Sequence, residues 1–544
     1  VDKAEVVLQD VEQAMIDKLI KGLEQLDIIS VVGVAGLGKT FLAQRVYRDP
    51  RVTSHFHIQA WCCISQTYCK RDLLLQILAC IDQKTQFSEK DDYQLALELR
   101  QRLLKQKFLI VLDDVWDIKA WNALKSSFPE KNNGSRILLT SRLTYIIGTP
   151  YHLRTLDESE SYELLQKKLA VIREEGYSEE QNFLGWKIAK TCNGMPLSIA
   201  IISGILATLH QAGWEEVAEK ISLTAMVGAT EQCNRILELS YGHLPDYLKR
   251  CILYFGAFRE DSEICVRRLT WLWIAEGFVQ KSGSECPEKI AEGYIMALIN
   301  RSLVMVGQRR YAGEVKTCRI HDLLHVFCVK KAKKQNFLQL VRGYDEDLTF
   351  DEPYNPRRLS IQAQPKHFIK SRIICPQIRS LLYSSRDFGV RQLRCNFRFI
   401  FLLKLLNVLD LENISLGSDF PRELWSLVQL RYLAVLGWLK NGIPSSLEKL
   451  SNLETFLVRT KDNVGLFLLQ DTLLKMQKLR HLHVYGALID ITLANDNLES
   501  SSILNNLDSF STMKLYLGQS MEKIIRKFPN IRRLKCCLLQ SEES

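Results

Sequence analysis

"GVAGLGKT", residues 33–40, has the types and spacing of a phosphate-binding loop: Gly33, four residues, then Gly38-Lys39-Thr40. The stretch "LDIISVVGVAGLGKTFLAQRVY" around it reads strand, loop, helix, with a strand over 28–32 and a helix from Lys39. In that setting Gly33, Gly36 and Gly38 let the backbone wrap phosphates, and the amides at the helix start point at them. Lys39 reaches the terminal phosphates, and the Thr40 hydroxyl is the expected Mg²⁺ ligand. A second stretch, "KFLIVLDDVW" at 107–116, is a continuous apolar strand ending in Asp113-Asp114. Carboxylates at the C-terminal end of a buried parallel strand lie where ligands bind in such sheets. Asp113 is expected to hold Mg²⁺ through water and Asp114 to orient an attacking water; the alternative for Asp114 is a turn cap. A third strand, "GSRILLTSR" at 134–142, ends in Arg142, which would sense or stabilise charge on a γ-phosphate; a surface arginine is the alternative.

These groups need a scaffold larger than one core, and 544 residues predict several domains. Apolar residues at 47% and charged ones at 25% fit a globular chain. The net charge of +10 permits nucleic-acid or anionic-membrane contact without demanding it. The 15 cysteines are scattered, with no CxxC pair and no Cys/His cluster, so a reducing compartment is expected and a metal centre is not. No signal-peptide pattern opens the sequence. The longest apolar run, "PLSIAIISGILATL", is too short to span a bilayer and predicts a buried helix. The sequence opens at Val1 without methionine and ends inside a repeat array, so a fragment is expected.

The repeat array comes after a charged, turn-rich segment read as a linker. Leu403, Leu406, Leu409 and Leu411 fit LxxLxxLxL, as do Leu427, Leu430, Leu433 and Val435, and Leu450, Leu453, Phe456 and Val458. Met476, Leu479, Leu482 and Val484 continue it, then Leu507, Phe510, Met513 and Leu515, with Phe528, Ile531, Leu534 and Cys536 last. Cys375, Ile378, Leu381 and Tyr383 open it. Such a period predicts stacked leucine-rich repeats, whose curved surface binds proteins or other domains of the same chain. The basic run "VKKAKKQ" at 329–335 reads as a solvated helix end, with a nuclear-import signal as the alternative.

Four further stretches come in a telling order: "HFHIQAWCCIS", "CNGMPLSIAI" at 192–201, "LKRCILYFGAFRED" at 248–261 and "CRIHDLLHVF" at 318–327. With the loop and the acidic strand, they resemble the NB-ARC module of plant intracellular nucleotide-binding leucine-rich-repeat immune receptors, a group within the STAND ATPases. The wording of "RDPRVTSHFHIQAWCCISQTY" and "LTWLWIAEGFVQ" is similar to the coiled-coil class, near nightshade-family late-blight resistance and helper receptors.

The resemblance implies a multidomain fold, α/β plus α. A P-loop NTPase parallel sheet (1–155) is succeeded by a helical domain (156–232) and a winged-helix domain (233–345). A linker (346–370) and a truncated leucine-rich-repeat solenoid (371–544) complete it. Carried over by position, the nucleotide contacts are Gly33, Gly36, Leu37, Gly38, Lys39, Thr40, Phe41, Arg142, Pro196 and His321. Mg²⁺ falls to Thr40 and Asp113, water orientation to Asp114, and sensing to Arg142. Pro196 packs near the adenine and ribose, His321 meets the β-phosphate of ADP, and Asp322 holds that region as the other half of a latch. Phe41 stands where the family has a second threonine, and Ile320 where it has methionine. Adenine contacts are expected near Val7 and Leu8.

A small-molecule kinase would end soon after its nucleotide domain, and a motor would show further catalytic motifs and a nucleic-acid track. Here, instead, residues on later domains are placed to meet the nucleotide, which is the logic of a switch. The expected function is an ADP-off, ATP-on switch of plant innate immunity that oligomerises to trigger defence and hypersensitive cell death. Hydrolysis, at most, is slow and resets it. The alternative is a STAND-type regulator that binds DNA through its winged helix. Expected partners are an N-terminal coiled-coil domain preceding Val1, further copies of the chain, and other immune receptors or pathogen effectors, without nucleic acid. The expected location is cytoplasmic, with membrane association only through that N-terminal domain.

Overall fold

The computed structural model describes residues 9–22, 24–64, 68–82, 90–130, 132–142, 147–172, 176–223, 227–280, 283, 285–342, 356–362, 377–384, 402–415, 420–437, 444–460, 466–468, 473, 475–486, 488–490, 503–516 and 526–539. It folds as two compact units. One comprises Val1–Lys249, Ile295–Gln308 and Cys318–Phe327, the other Arg250–Tyr294, Arg309–Thr317 and Cys328–Ser544.

The first unit is built on a parallel sheet of β1 (Asp27–Val32), β2 (Ile58–Cys63), β3 (Phe108–Val115), β4 (Arg136–Ser141) and β5 (Thr149–His152), in the order β2-β3-β4-β1-β5. Every residue of β3 and β4 is buried, which explains their unbroken apolar runs. Helices α1 (Gln9–Lys21), α2 (Lys39–Arg48), α3 (Pro50–His55), α4 (Lys70–Ile81), α5 (Asp92–Leu103) and α6 (Ile118–Lys125) accompany it. Successive β3 residues serve opposite faces, as the period of a strand requires. Ile110 and Leu112 join a core with Leu73, Ile77 and Leu99, whereas Leu109 and Val111 join Leu42, Val46 and Met15.

Five helices come next: α7 (Glu158–Ile172), α8 (Glu179–Thr191), α9 (Pro196–Leu206), α10 (Gln211–Ser222) and α11 (Ala229–Gly242). The apolar run at 196–209 supplies α9, buried on nearly all sides because it is apolar on nearly all sides. At Gly204 the chain at Arg301 passes so close that a Cβ would sit 2.4 Å from the Arg301 carbonyl carbon. Beyond these lie α12 (Asp246–Tyr254), β6 (Ile264–Cys265), α13 (Val266–Ala275), α14 (Pro287–Asn300), β7 (Met305–Val306), β8 (Thr317–Arg319) and α15 (Asp322–Lys334). Antiparallel pairing of β7 with β8 delivers the chain to His321.

The second unit carries a parallel sheet with one strand for each predicted leucine repeat: β11 (Ser380–Tyr383), β12 (Val408–Ser415), β13 (Tyr432–Gly437), β14 (Thr455–Thr460), β16 (His481–Tyr485), β18 (Ser509–Tyr516) and β19 (Arg533–Leu539). β15 (Leu466–Leu468) and β17 (Leu488–Asp490) run beside them. The repeat leucines from Leu403 to Leu482 share a single core. Cys375 lies outside the described residues.

The linker reading of 346–370 is corrected in its described part. Arg358–Ile361 is a fully buried strand, β10, pairing with β11 on one side and with β9 (Gln339–Val341) on the other. The flanking Pro356 and Arg357 hide it in the sequence, and four residues are too few to show a period. Arg358 is held by Glu276 at 2.9 Å, and its guanidinium lies over the adjoining rings of Phe278 and Phe337 at 4.9 and 4.2 Å.

Candidate nucleotide site

The site lies wholly within the first unit, at the carboxyl ends of β1, β3 and β4. Gly36 and Gly38 have φ of 82° and 95°, values open to glycine with little strain. Gly38 is also the N-cap of α2, and no side chain caps that end. Its first-turn amides are thus left for an anion. Lys39, buried, donates from Nζ to the carbonyls of Gly33 at 2.8 Å and Val34 at 2.9 Å. Burial, with Arg142 nearby, holds its ammonium down at about 8. Phe41 turns to Arg45, which lies 5.9 Å over its ring, and Leu37 is buried in the core that includes Met195.

The two aspartates have different partners. Asp113 Oδ1 accepts from Thr40 Oγ1 at 2.9 Å and from Thr140 Oγ1 at 2.5 Å, and burial pushes its carboxyl above the usual range. Asp114 comes at a break in the β3–β4 register, with φ of 56°. Its N–H donates to Thr140 Oγ1 at 2.8 Å. Its carboxylate accepts from Arg142 Nε and Nη2, both at 3.2 Å. Such bulges re-aim side chains near functional sites. Burial, then Asp322, pushes Asp114 up to about 6.

Arg142, just past β4, also donates from Nη2 to Asp322 Oδ2 at 2.8 Å, and its guanidinium lies 4.1 Å over the Trp116 ring. It is therefore not a free surface arginine. Asp322 opens α15, and the preceding His321 caps that helix: Nδ1 accepts the Leu323 N–H at 3.1 Å. This assigns the imidazole proton to Nε2. Burial keeps His321 below the usual imidazole value, so it is neutral at pH 7. Pro196 is the first residue of α9, and the next residue reaches the loop: Leu197 N–H donates to Gly36 O at 3.3 Å. A Cβ on Gly36 would stand 3.1 Å from Leu197 Cβ, so this contact too selects glycine.

The structure thus brings Thr40, Asp113, Asp114, Arg142 and Asp322 into one hydrogen-bonded cluster joined through Thr140, with the Lys39 ammonium in their field, and sets Pro196 beside the loop through Leu197. Val7 and Leu8 lie outside the described residues. The chemistry of this donor set suits a nucleotide's phosphates. It offers a buried ammonium, uncapped amides and a guanidinium, and the paired Thr40 and Asp113 oxygens suit Mg²⁺. Two members were not singled out in the sequence. Thr140 is signalled only by a hydroxyl at the end of a buried strand. Trp116 comes after the aspartates as a residue with no spacing signature.

Residues 8–175 match the NB-ARC domain family, and residues 257–328 match the disease resistance protein winged helix domain. Over 98% of its length the chain is 38% identical to the late blight resistance protein homolog R1B-16 of Solanum demissum, covering 41% of that protein. It is 37% identical over the same share to late blight resistance protein R1-A of Solanum demissum, covering 42% of it. The chain is thus related along nearly all of its length to plant disease-resistance proteins, and spans about two fifths of theirs. Among solved structures, a signal transduction ATPase with numerous domains from Pyrococcus horikoshii matches 60% of the chain and 43% of its own. The identity there is 15% and the TM-score 0.38. Among the described residues no helix is long and apolar enough to cross a membrane, and no group of three or more His, Cys, Asp or Glu is placed to hold a metal.

Proposed function

We propose that the chain is the switch portion of a plant immune receptor, held off with ADP and turned on with ATP and Mg²⁺. The observation that carries this reading is Arg142, whose guanidinium joins Asp114 on the sheet to Asp322 at the head of α15. A group at the γ-phosphate position therefore competes with a contact that fixes α15. That makes the nucleotide a ligand with different affinities for two arrangements, as a switch requires.

In the off form the loop amides and Lys39 hold the phosphates of ADP; Thr40 and Asp113 would hold the metal that comes with ATP. His321, neutral and oriented by its Nδ1 bond to Leu323, donates from Nε2 toward the β-phosphate. Pro196 and Leu197 press α9 against Gly36 beside the base and ribose. Bound Mg²⁺ supplies charge neutralisation for the phosphates. Asp114 accepts a hydrogen bond from the attacking water in a slow hydrolysis that resets the switch. Its salt bridge to Arg142 keeps it poised rather than free, which suits a slow rate. In the on form Arg142 turns its donors from Asp322 to the γ-phosphate, α15 is released, and copies assemble to trigger defence and hypersensitive cell death. The domain layout is P-loop sheet to 155, helical domain to 232, winged helix to 345, then leucine-rich repeats for recognition. An N-terminal coiled coil signals, and the setting is the cytoplasm.

The test is the nucleotide that co-purifies with the chain, read by chromatography after denaturation. ADP in the parent, and its loss in Lys39→Arg, is the expected result, because arginine's planar fork does not reproduce a compact ammonium. Full occupancy and an unchanged melting temperature in that variant would overturn the phosphate-loop assignment.

A further inference from the structure

We propose that Trp116 is a positioning residue that fixes the plane of the Arg142 guanidinium and so sets how well the site distinguishes a nucleoside triphosphate from a diphosphate. This rests on the reading of Arg142 as the γ-phosphate sensor.

The guanidinium carbon lies 4.1 Å from the centre of the Trp116 ring. Stacking is an arrangement arginine adopts on aromatic faces, and it is strongest on tryptophan. The guanidinium is planar in itself, so a ring against its face fixes the orientation of the plane in which all its N–H groups lie. Here Nε and Nη2 both meet Asp114 at 3.2 Å, and Nη2 also meets Asp322 at 2.8 Å. Nη1 has no hydrogen-bond partner among the described residues. The ring therefore leaves the Nη1 donor pair to meet an additional anionic oxygen first, in the plane into which Nη2 follows when it leaves Asp322, beside the Lys39 ammonium that serves either nucleotide.

Trp116 is not retained there by hydrogen bonding. Its indole N–H is buried and has no partner among the described residues. The part of the side chain engaged with the site is its face. Without that face Arg142 would keep its charge and its carboxylates but lose the fixed direction of Nη1.

The experiment measures dissociation constants for ADP and for a non-hydrolysable ATP analogue, by competition on the nucleotide-stripped chain. In Trp116→Leu the preference for the triphosphate should fall roughly threefold to thirtyfold, the span of a cation–π contact, with ADP affinity changed less than about twofold. Trp116→Phe should restore most of it. Arg142→Lys, which leaves the ring intact, should lose the preference as Trp116→Leu does, and serves if that variant does not fold. Parallel loss of both affinities in Trp116→Leu, no rescue by Phe, or a full preference in Arg142→Lys would overturn the proposal. Arg142→Gln separates the two claims. If it abolishes the preference while Trp116→Leu does not, the sensor reading stands and this inference fails; if it leaves the preference intact, both fail.

Discussion

Arg142 and Asp322 are 180 residues apart in the chain, yet Arg142 Nη2 donates to Asp322 Oδ2 at 2.8 Å. Both side chains are mostly buried, at 20% and 16% exposure, so solvent screens the pair little. Asp322→Val removes one partner and leaves Arg142 with Asp114 alone. The cost is about 1–3 kcal/mol, the range for a hydrogen bond to a charged group. That converts to a faster ADP off-rate, roughly tenfold, and to a shift toward open or oligomeric particles. Off-rate and particle size against the parent check it. An unchanged off-rate in an unchanged monomer would reduce "IHD" to core packing.

Asp114→Asn separates hydrolysis from binding. Asp114 has φ of 56°, a left-handed conformation that asparagine tolerates about as well as aspartate. The variant should therefore fold and keep its nucleotide while losing what slow turnover exists. In the proposed reading the metal falls instead to Asp113, which is bonded to Thr40. Single-turnover hydrolysis beside nucleotide retention decides: equal loss of both would mean the two aspartates have exchanged roles.

Much of this site was legible in the sequence because phosphate chemistry fixes residue types at short spacing. Gly36, Gly38, Lys39 and Thr40 are local, and a helix start is all they need. Asp113 and Arg142 were legible because they end buried apolar strands. The contact that joins them to α15 was not. The Arg142–Asp322 pair depends on how the chain returns through β8, and no local period encodes that return. His321 combines both readings, since its ring caps α15 while Asp322 takes the ion pair. The repeats were legible through their leucines, except at β10. There Leu359 and Ile361 are two apolar residues among Pro356, Arg357 and Arg358, too short a pattern to mark a strand.

Lys39 offers a pH test. Its folded value of about 8 lies below its unfolded 10.5. Between those values the unfolded chain holds more protons, so stability of the nucleotide-free chain should rise as pH increases through that window. The gain is at most on the order of 3 kcal/mol. Below pH 8 both states carry the charge and the term is constant. Lys39→Met cannot titrate and should lack the rise. Melting temperatures from pH 7.5 to 10, parent against variant, measure the difference, and parallel curves would contradict the buried ammonium.

The last prediction concerns how the second unit is fastened at its first strands. Glu276 is 1% exposed and Arg358 9%; they bridge at 2.9 Å, and the Arg358 guanidinium packs over Phe278 and Phe337. Ser380 on β11 also bonds Glu276, so one carboxylate ties β10 and β11 to the end of α13. Removing one partner of a buried pair leaves an uncompensated charge, at a cost of about 3–5 kcal/mol. Replacing both with apolar residues removes that penalty and costs less than the two single changes together. Glu276→Gln should thus speed amide exchange at Leu359 and Leu381, while Glu276→Leu with Arg358→Met should return it toward the parent. Local exchange is the right measure, because a chain of two units need not unfold in one step. Unchanged exchange in Glu276→Gln would show that the apolar core of the repeats holds β10 without the ion pair.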